Sequence, residues 1–122
     1  MTSYSITTKT DTKTVLAAVT IGVETTVIDV PAQAADYIIE SYIDLTNMAG
    51  GDTTNVTEYV GVDGSNLRVY QQVTYSGAQT APILRFHGKL FEKDLLYRIT
   101  IKQTAGTGRA YPYASVLQVF NA

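Results

Sequence analysis

Val56-Thr57-Glu58-Tyr59-Val60-Gly61-Val62-Asp63-Gly64-Ser65-Asn66-Leu67-Arg68-Val69-Tyr70-Gln71-Gln72-Val73-Thr74-Tyr75 holds two strand patterns joined by a turn. Val56, Val60 and Val62 mark the first strand. Asp63-Gly64 is the strongest hairpin signal in the chain, because a tight turn needs the positive φ values that this dipeptide supplies. On the return, Leu67, Val69, Val73 and Tyr75 face one way, and Arg68, Tyr70, Gln72 and Thr74 the other. That alternation is the period of a half-buried strand.

The same period recurs on both sides of this hairpin. Val15, Ala17, Val19 and Ile21 alternate with Thr14, Leu16, Ala18 and Thr20, and Thr26-Val27-Ile28-Asp29-Val30 is a short strand stopped by Pro31. Residues 32–48 fit two periods. Tyr37, Ile39, Ile43 and Leu45 share a face at period two, whereas Ala35, Ile38, Ile39 and Tyr42 share one at helical spacing. Ile and Tyr favour strands, so 37–45 is read as a strand. Gly50-Gly51-Asp52 is a loop. Pro82, Leu84 and Phe86 alternate with Ile83, Arg85 and His87, and a proline near the start marks a sheet edge. Residues 88–94 read as a connection. Leu95, Tyr97, Ile99 and Ile101 against Leu96, Arg98, Thr100 and Lys102 form the clearest strand, 105–108 a flexible loop, and 116–120 a last strand apolar on both faces. Seven to nine short strands with regular turns predict an all-β fold, an antiparallel β-sandwich of jelly-roll type, with an open barrel as second choice. The Thr/Ser-rich residues 1–12 read as an extended N-terminal arm or edge strand, ahead of a single sandwich domain at 13–122.

A chain of 122 residues fits one domain and buries roughly two-thirds of its unfolded surface. It contains no cysteine, so disulfides and thiolate metal sites are excluded, and it has no tryptophan. Its apolar runs are too short to span a bilayer as helices, and the N-terminus lacks the basic and apolar segments of a secretory signal. The expectation is an intracellular product with no membrane partner. Net charge is −2, but it is unevenly spread. Residues 1–63 carry two basic and nine acidic residues (−7), and residues 64–122 seven basic and two acidic (+5). Cross-strand pairing of the halves accounts for such a split; complementary subunit faces are the sharper reading.

Catalytic groups are scarce. A nucleophile needs a base in reach, and the sole histidine, His87, sits in a strand next to a turn with no Gly-x-Ser-x-Gly elbow in the chain. Asp29, Asp36, Glu40, Asp44, Asp52, Glu58 and Asp63 form no recognisable carboxylate motif. Asp44, Asp52 and Asp63 are the residues to weigh for calcium, without EF-hand spacing. The glycines of 103–109 lack the Gly-Lys-Ser/Thr ending and helix of a phosphate loop, so Arg109 reads as solvated or paired. Arg68 and Tyr70 share an outward face, yet the acidic net charge argues against nucleic acid. The expectation is no enzyme, no cofactor, no metal site and no nucleic-acid partner. Nine tyrosines keep carbohydrate binding open.

Residues 62–66, 74–77 and 103–109, with Pro82-Ile83-Leu84 and the closing Tyr111-Pro112-Tyr113, resemble small β-rich structural proteins of tailed-virus particles. These are the auxiliary and capsid decoration proteins of phages and archaeal viruses. The resemblance covers about half the chain. It implies a jelly-roll or sandwich fold, oligomers, a capsid shell protein and further copies of the chain as partners, and a place in the virion after synthesis in the host cytoplasm. It carries over no binding residues. From the residues themselves, Arg109, Tyr111 and Tyr113 are the candidate interface cluster, since Arg and Tyr concentrate at interface cores. The arm at 2–12 is expected to add a strand to a neighbour. A carbohydrate- or receptor-binding module using tyrosine platforms is the alternative function.

Overall fold

The computed structural model describes residues 5–121. Residues 1–4, the start of the expected arm, and residue 122 lie outside the described residues. Eight strands run β1 (Ile6–Leu16), β2 (Glu24–Val30), β3 (Tyr37–Asp44), β4 (Thr53–Gly61), β5 (Arg68–Ser76), β6 (Ile83–Phe91), β7 (Leu96–Ala105) and β8 (Tyr111–Phe120). They form two four-stranded antiparallel sheets, β1-β8-β3-β6 and β2-β7-β4-β5, an all-β sandwich.

The pairing is nested: β1 with β8, β2 with β7, β3 with β6, β4 with β5. Paired residue numbers add to 127 at Thr10 and Leu117, 126 at Thr26 and Thr100, 127 at Tyr42 and Arg85, and 129 at Val56 and Val73. All four ladders are thus mirrored about residues 63–64. The chain is one long hairpin with its tip at Asp63-Gly64, rolled up so that β8 also meets β3 and β7 also meets β4. The tip itself differs from a two-residue turn. Residues 62–67 form a six-residue loop in which only Gly64 has positive φ (77°). Asp63 Oδ1 accepts from the amides of Ser65 (2.9 Å) and Asn66 (2.7 Å), and Oδ2 from Asn66 Nδ2 (2.8 Å). These donors, Asn66 foremost, pull the Asp63 carboxyl down to about 2.

Period two decided residues 37–45. Tyr37, Ile39, Ile43 and Leu45 all point into the core, and Tyr97, Ile99 and Ile101 of β7 face them from the other sheet. Burial of such aliphatic and aromatic side chains supplies the main favourable term of folding. The first strand was misjudged in extent. β1 ends at Leu16, residues 17–23 are a loop, and Val15 and Ile21 are exposed, while Val19 is buried within the loop. The inner face of β1 is threonine-rich, with Thr10 and Thr12 beside a hollow under β8, so hydrophobic alternation could not locate it. Its place comes from the ladder to β8, which makes residues 6–12 part of an edge strand of the chain's own sheet, the second of the two expected alternatives, and not a free arm.

Two bulges change the predicted faces of the edge strands. Glu58 pairs with Gln71 but Tyr59 with Val69, so β5 carries one extra residue at Tyr70. Likewise Ile39 pairs with Lys89 and Ser41 with Phe86, so β6 carries an extra residue at His87-Gly88 and continues to Phe91 instead of ending in a connection. A bulge reverses which side chains face in beyond it.

Candidate functional site

β5 and β6 are the edge strands of their sheets and border a common cleft. The bulges decide what lines it. Cross-strand partners share a face, so Val69 goes out with Tyr59, while Arg68 goes in with Val60. The predicted outward pair Arg68 and Tyr70 instead borders the cleft, with Val60, Val62, Phe91 and Leu95, around an apolar hollow of about 480 Å³. A second hollow of about 340 Å³ lies towards Gln71, Val73, Tyr75 and Leu84.

The β6 bulge turns Lys89 inward between these hollows. Its Nζ lies 3.5 Å from Oε2 of Glu58, a buried residue of β4. The Tyr97 hydroxyl donates to the same oxygen. Burial, reinforced by this carboxylate, pushes the Tyr97 phenol far above its ordinary value. Glu58 is thus held by a cation and a phenol, a buried charge with partners. The Arg68 side chain makes no ion pair or hydrogen bond among the described residues.

The rim of this cleft is the most exposed apolar part of the described surface. Val62 is 75% and Tyr70 60% exposed there, Val69 (60%) continues the patch on the outer side of β5, and Leu90 (68%), paired with Ile38, lies apart on the outer face of the β6 sheet. Along β5 only Tyr75 is even half-buried. Other faces are quieter. On the outer face of the β6 sheet, Arg85 grips Glu40 (2.6 Å) over the Tyr42 ring, and this holds the Glu40 carboxyl below its usual range. His87 is exposed at the bulge and makes no side-chain hydrogen bond among the described residues.

Arg109, Tyr111 and Tyr113 do not form a surface cluster. Tyr111 is fully buried; its hydroxyl lies 2.8 Å from that of Thr54 and donates to Gln103 Oε1 (3.0 Å). Gln103 also accepts from the Arg109 amide (3.1 Å) and donates to the carbonyls of Ala105 (3.0 Å) and Thr107 (2.7 Å), filling its capacity. Arg109 Nε donates to buried Asp52 Oδ2 at 2.7 Å. Asp52 further accepts from the amides of Ala49 and Thr107, and Arg109 first among these donors lowers its pKa. Tyr113 is half-buried against the core. The residues read as an interface are largely an internal lock joining the loop before β4 to the loop before β8. The loop at 105–108 is correspondingly pinned: a Cβ on Gly108 would lie 2.0 Å from the Val19 carbonyl oxygen.

Asp52 and Asp63 accept from N–H donors, the Arg109 guanidinium among those of Asp52, and among the described residues no three His or acidic side chains group as metal ligands. The β5–β6 cleft was missed because its walls depend on two bulges; the one signal was the run of uncharged residues from Val69 to Ser76. It offers apolar surface, one unpaired guanidinium and an uncharged strand edge, which suit docking of another polypeptide. No protein-family model matches this chain, and no curated protein matches its sequence.

Proposed function

We propose that this chain is a non-enzymatic structural protein that assembles on or within a virus particle, as a capsid decoration or auxiliary protein, through β-edge and apolar subunit contacts. The observation that carries the reading is the exposed apolar patch of Val62, Val69 and Tyr70 beside the open edge of β5. Apolar surface and strand edges left open on a monomer are characteristic of association sites. The nested order β1-β8-β3-β6 over β2-β7-β4-β5 is read as a jelly roll, in keeping with that class. Its partners in this reading are further copies of itself and a shell protein. Light scattering of the purified chain across micromolar concentrations, with negative-stain imaging of large species, tests the proposal. A defined oligomer or closed particles are expected; a strict monomer throughout counts against it.

One observation favours a second reading, a carbohydrate- or receptor-binding module. Tyr70 is exposed beside Arg68 and Gln71, an aromatic ring with polar neighbours. Glycan-array binding lost in Tyr70→Ala would select it.

A further inference from the structure

We infer that β5 pairs antiparallel with β5 of a second copy across a two-fold axis, joining two four-stranded sheets into one of eight strands. This rests on the assembly reading above and names the edge and the partner.

The sandwich has four edge strands, β1, β6, β2 and β5, and three of them carry charges that oppose like to like when the strand pairs with itself over its full length. In β1 the full-length register, a two-fold at Asp11, sets Lys9 opposite Lys13 and Asp11 opposite itself, and only the shorter overlaps centred on Thr10 or Thr12 bring a lysine opposite Asp11. In β6 a two-fold at His87 sets Arg85 opposite Lys89, and the bulge there breaks the ladder. β2 is seven residues long with two acidic residues and no basic one, so two copies oppose negative charge to negative charge. Like charges opposite one another destabilise strand pairs, and charge and bulges are the usual means by which edges are kept single.

β5 has neither guard over most of its length. From Val69 to Ser76 it contains no charge, no proline and no glycine, and its bulge lies near the start, at Tyr70. A two-fold at Val73 sets Gln71 opposite Tyr75 and Gln72 opposite Thr74. Gln71, Val73 and Tyr75 border the inter-sheet cleft, whereas Gln72 borders the outer face of β4 with Asn55 and Thr57. This register therefore pairs inward residues with inward ones and outward with outward, as a continuous pleated sheet requires. The single charge, Arg68, falls opposite Ala78, beyond the end of the partner's strand. Self-pairing brings together two strands of the same net charge, so an uncharged edge is the one that meets its copy without repulsion.

The chain contains no cysteine, so single-cysteine variants report contacts cleanly. Val73→Cys places two thiols across the proposed axis, within disulfide reach of a directly opposed strand pair. Asp11→Cys is the stringent control, since it also removes the charge that opposes pairing of β1. Under mild oxidation, Val73→Cys is expected to give a covalent dimer in most of the protein and Asp11→Cys only traces. Gln72→Lys, an exposed outer-face change, is expected to return the mass from about twice the 13.3 kDa chain to the monomer at unchanged thermal midpoint. Association that persists in Gln72→Lys with no cross-link at position 73 overturns β5 pairing and leaves the assembly reading standing. A wild-type chain that is monomeric throughout overturns both.

Discussion

Lys89 Nζ stands 3.5 Å from Glu58 Oε2 across the space between the two sheets, and it does so only because a bulge at His87-Gly88 turns Lys89 inward. The Glu58 side chain is 6% exposed and that of Lys89 26%. Removing one partner of a buried pair leaves the other charge without compensation. Lys89→Met is therefore expected to lower stability by about 2–3 kcal/mol at neutral pH. The double variant Glu58→Gln/Lys89→Met recovers at least half of that loss. Urea denaturation of the wild type and the variants checks this, and additive losses would show that the pair is not coupled.

Gly106 packs against Asp52 so closely that no side chain fits. A Cβ there would lie 2.0 Å from Asp52 Oδ1 and 2.8 Å from its Cα, and φ is +88°. Gly106→Ala combines overpacking with backbone strain and is expected to cost more than about 2 kcal/mol. Gly50, with open space around it and no positive φ, is the control; Gly50→Ala stays within about 0.5 kcal/mol. Thermal melts of the two variants separate the outcomes.

Ser41 Oγ is fully buried on β3 and lacks a hydrogen-bond partner among the described residues. An unsatisfied buried hydroxyl carries a desolvation penalty of about 1 kcal/mol or more. Ser41→Ala is expected to raise stability by up to about 1 kcal/mol, read from the denaturation midpoint at unchanged slope. A loss of stability would reveal a hidden partner for this group.

Stability should fall at both ends of the pH scale. Burial raises the Tyr37 phenol from 10.0 to about 12, and Tyr75, Tyr97 and Tyr111 are raised by the same cause. A raised folded value means that this contribution is whole below pH 10.0 and is lost as pH climbs through about 12. At the other end, the Asp63 carboxyl falls from 3.8 to about 2, so its contribution is whole above pH 3.8 and is lost as pH drops through about 2. Tyrosinate absorbance should rise together with unfolding in alkali, and Asp63→Ala should flatten the acid limb. Tyrosine ionisation completed well before unfolding would contradict the first expectation.

Deleting residues 1–12 removes most of β1, whose Ile6–Thr12 portion pairs with the Ser115–Phe120 end of β8. The ladder makes this segment a stability element of the chain's own sheet. The truncated chain is expected to lose about 2 kcal/mol or more and to expose β8 as a new edge. Circular dichroism melts of the truncated chain test this, and an unchanged midpoint would restore the free-arm reading.

Much of the fold was legible because its signals are local. Alternation in 37–45 and 95–102, the turn at Asp63-Gly64 and the absence of any long apolar run specified short antiparallel strands around one core. Pattern also located the hairpin tip about which all four ladders are mirrored. Tertiary structure decided the faces of Arg68, Val69, Tyr70 and Lys89, the burial of Tyr111 and the capture of Arg109 by Asp52. The physical reason is that period two assigns faces only along an unbroken ladder. A single extra residue opposite a partner strand reverses every side chain beyond it, and whether that residue is extra depends on a strand distant in sequence. Arg109 and Asp52 stand 57 residues apart and meet only after the hairpin has rolled up.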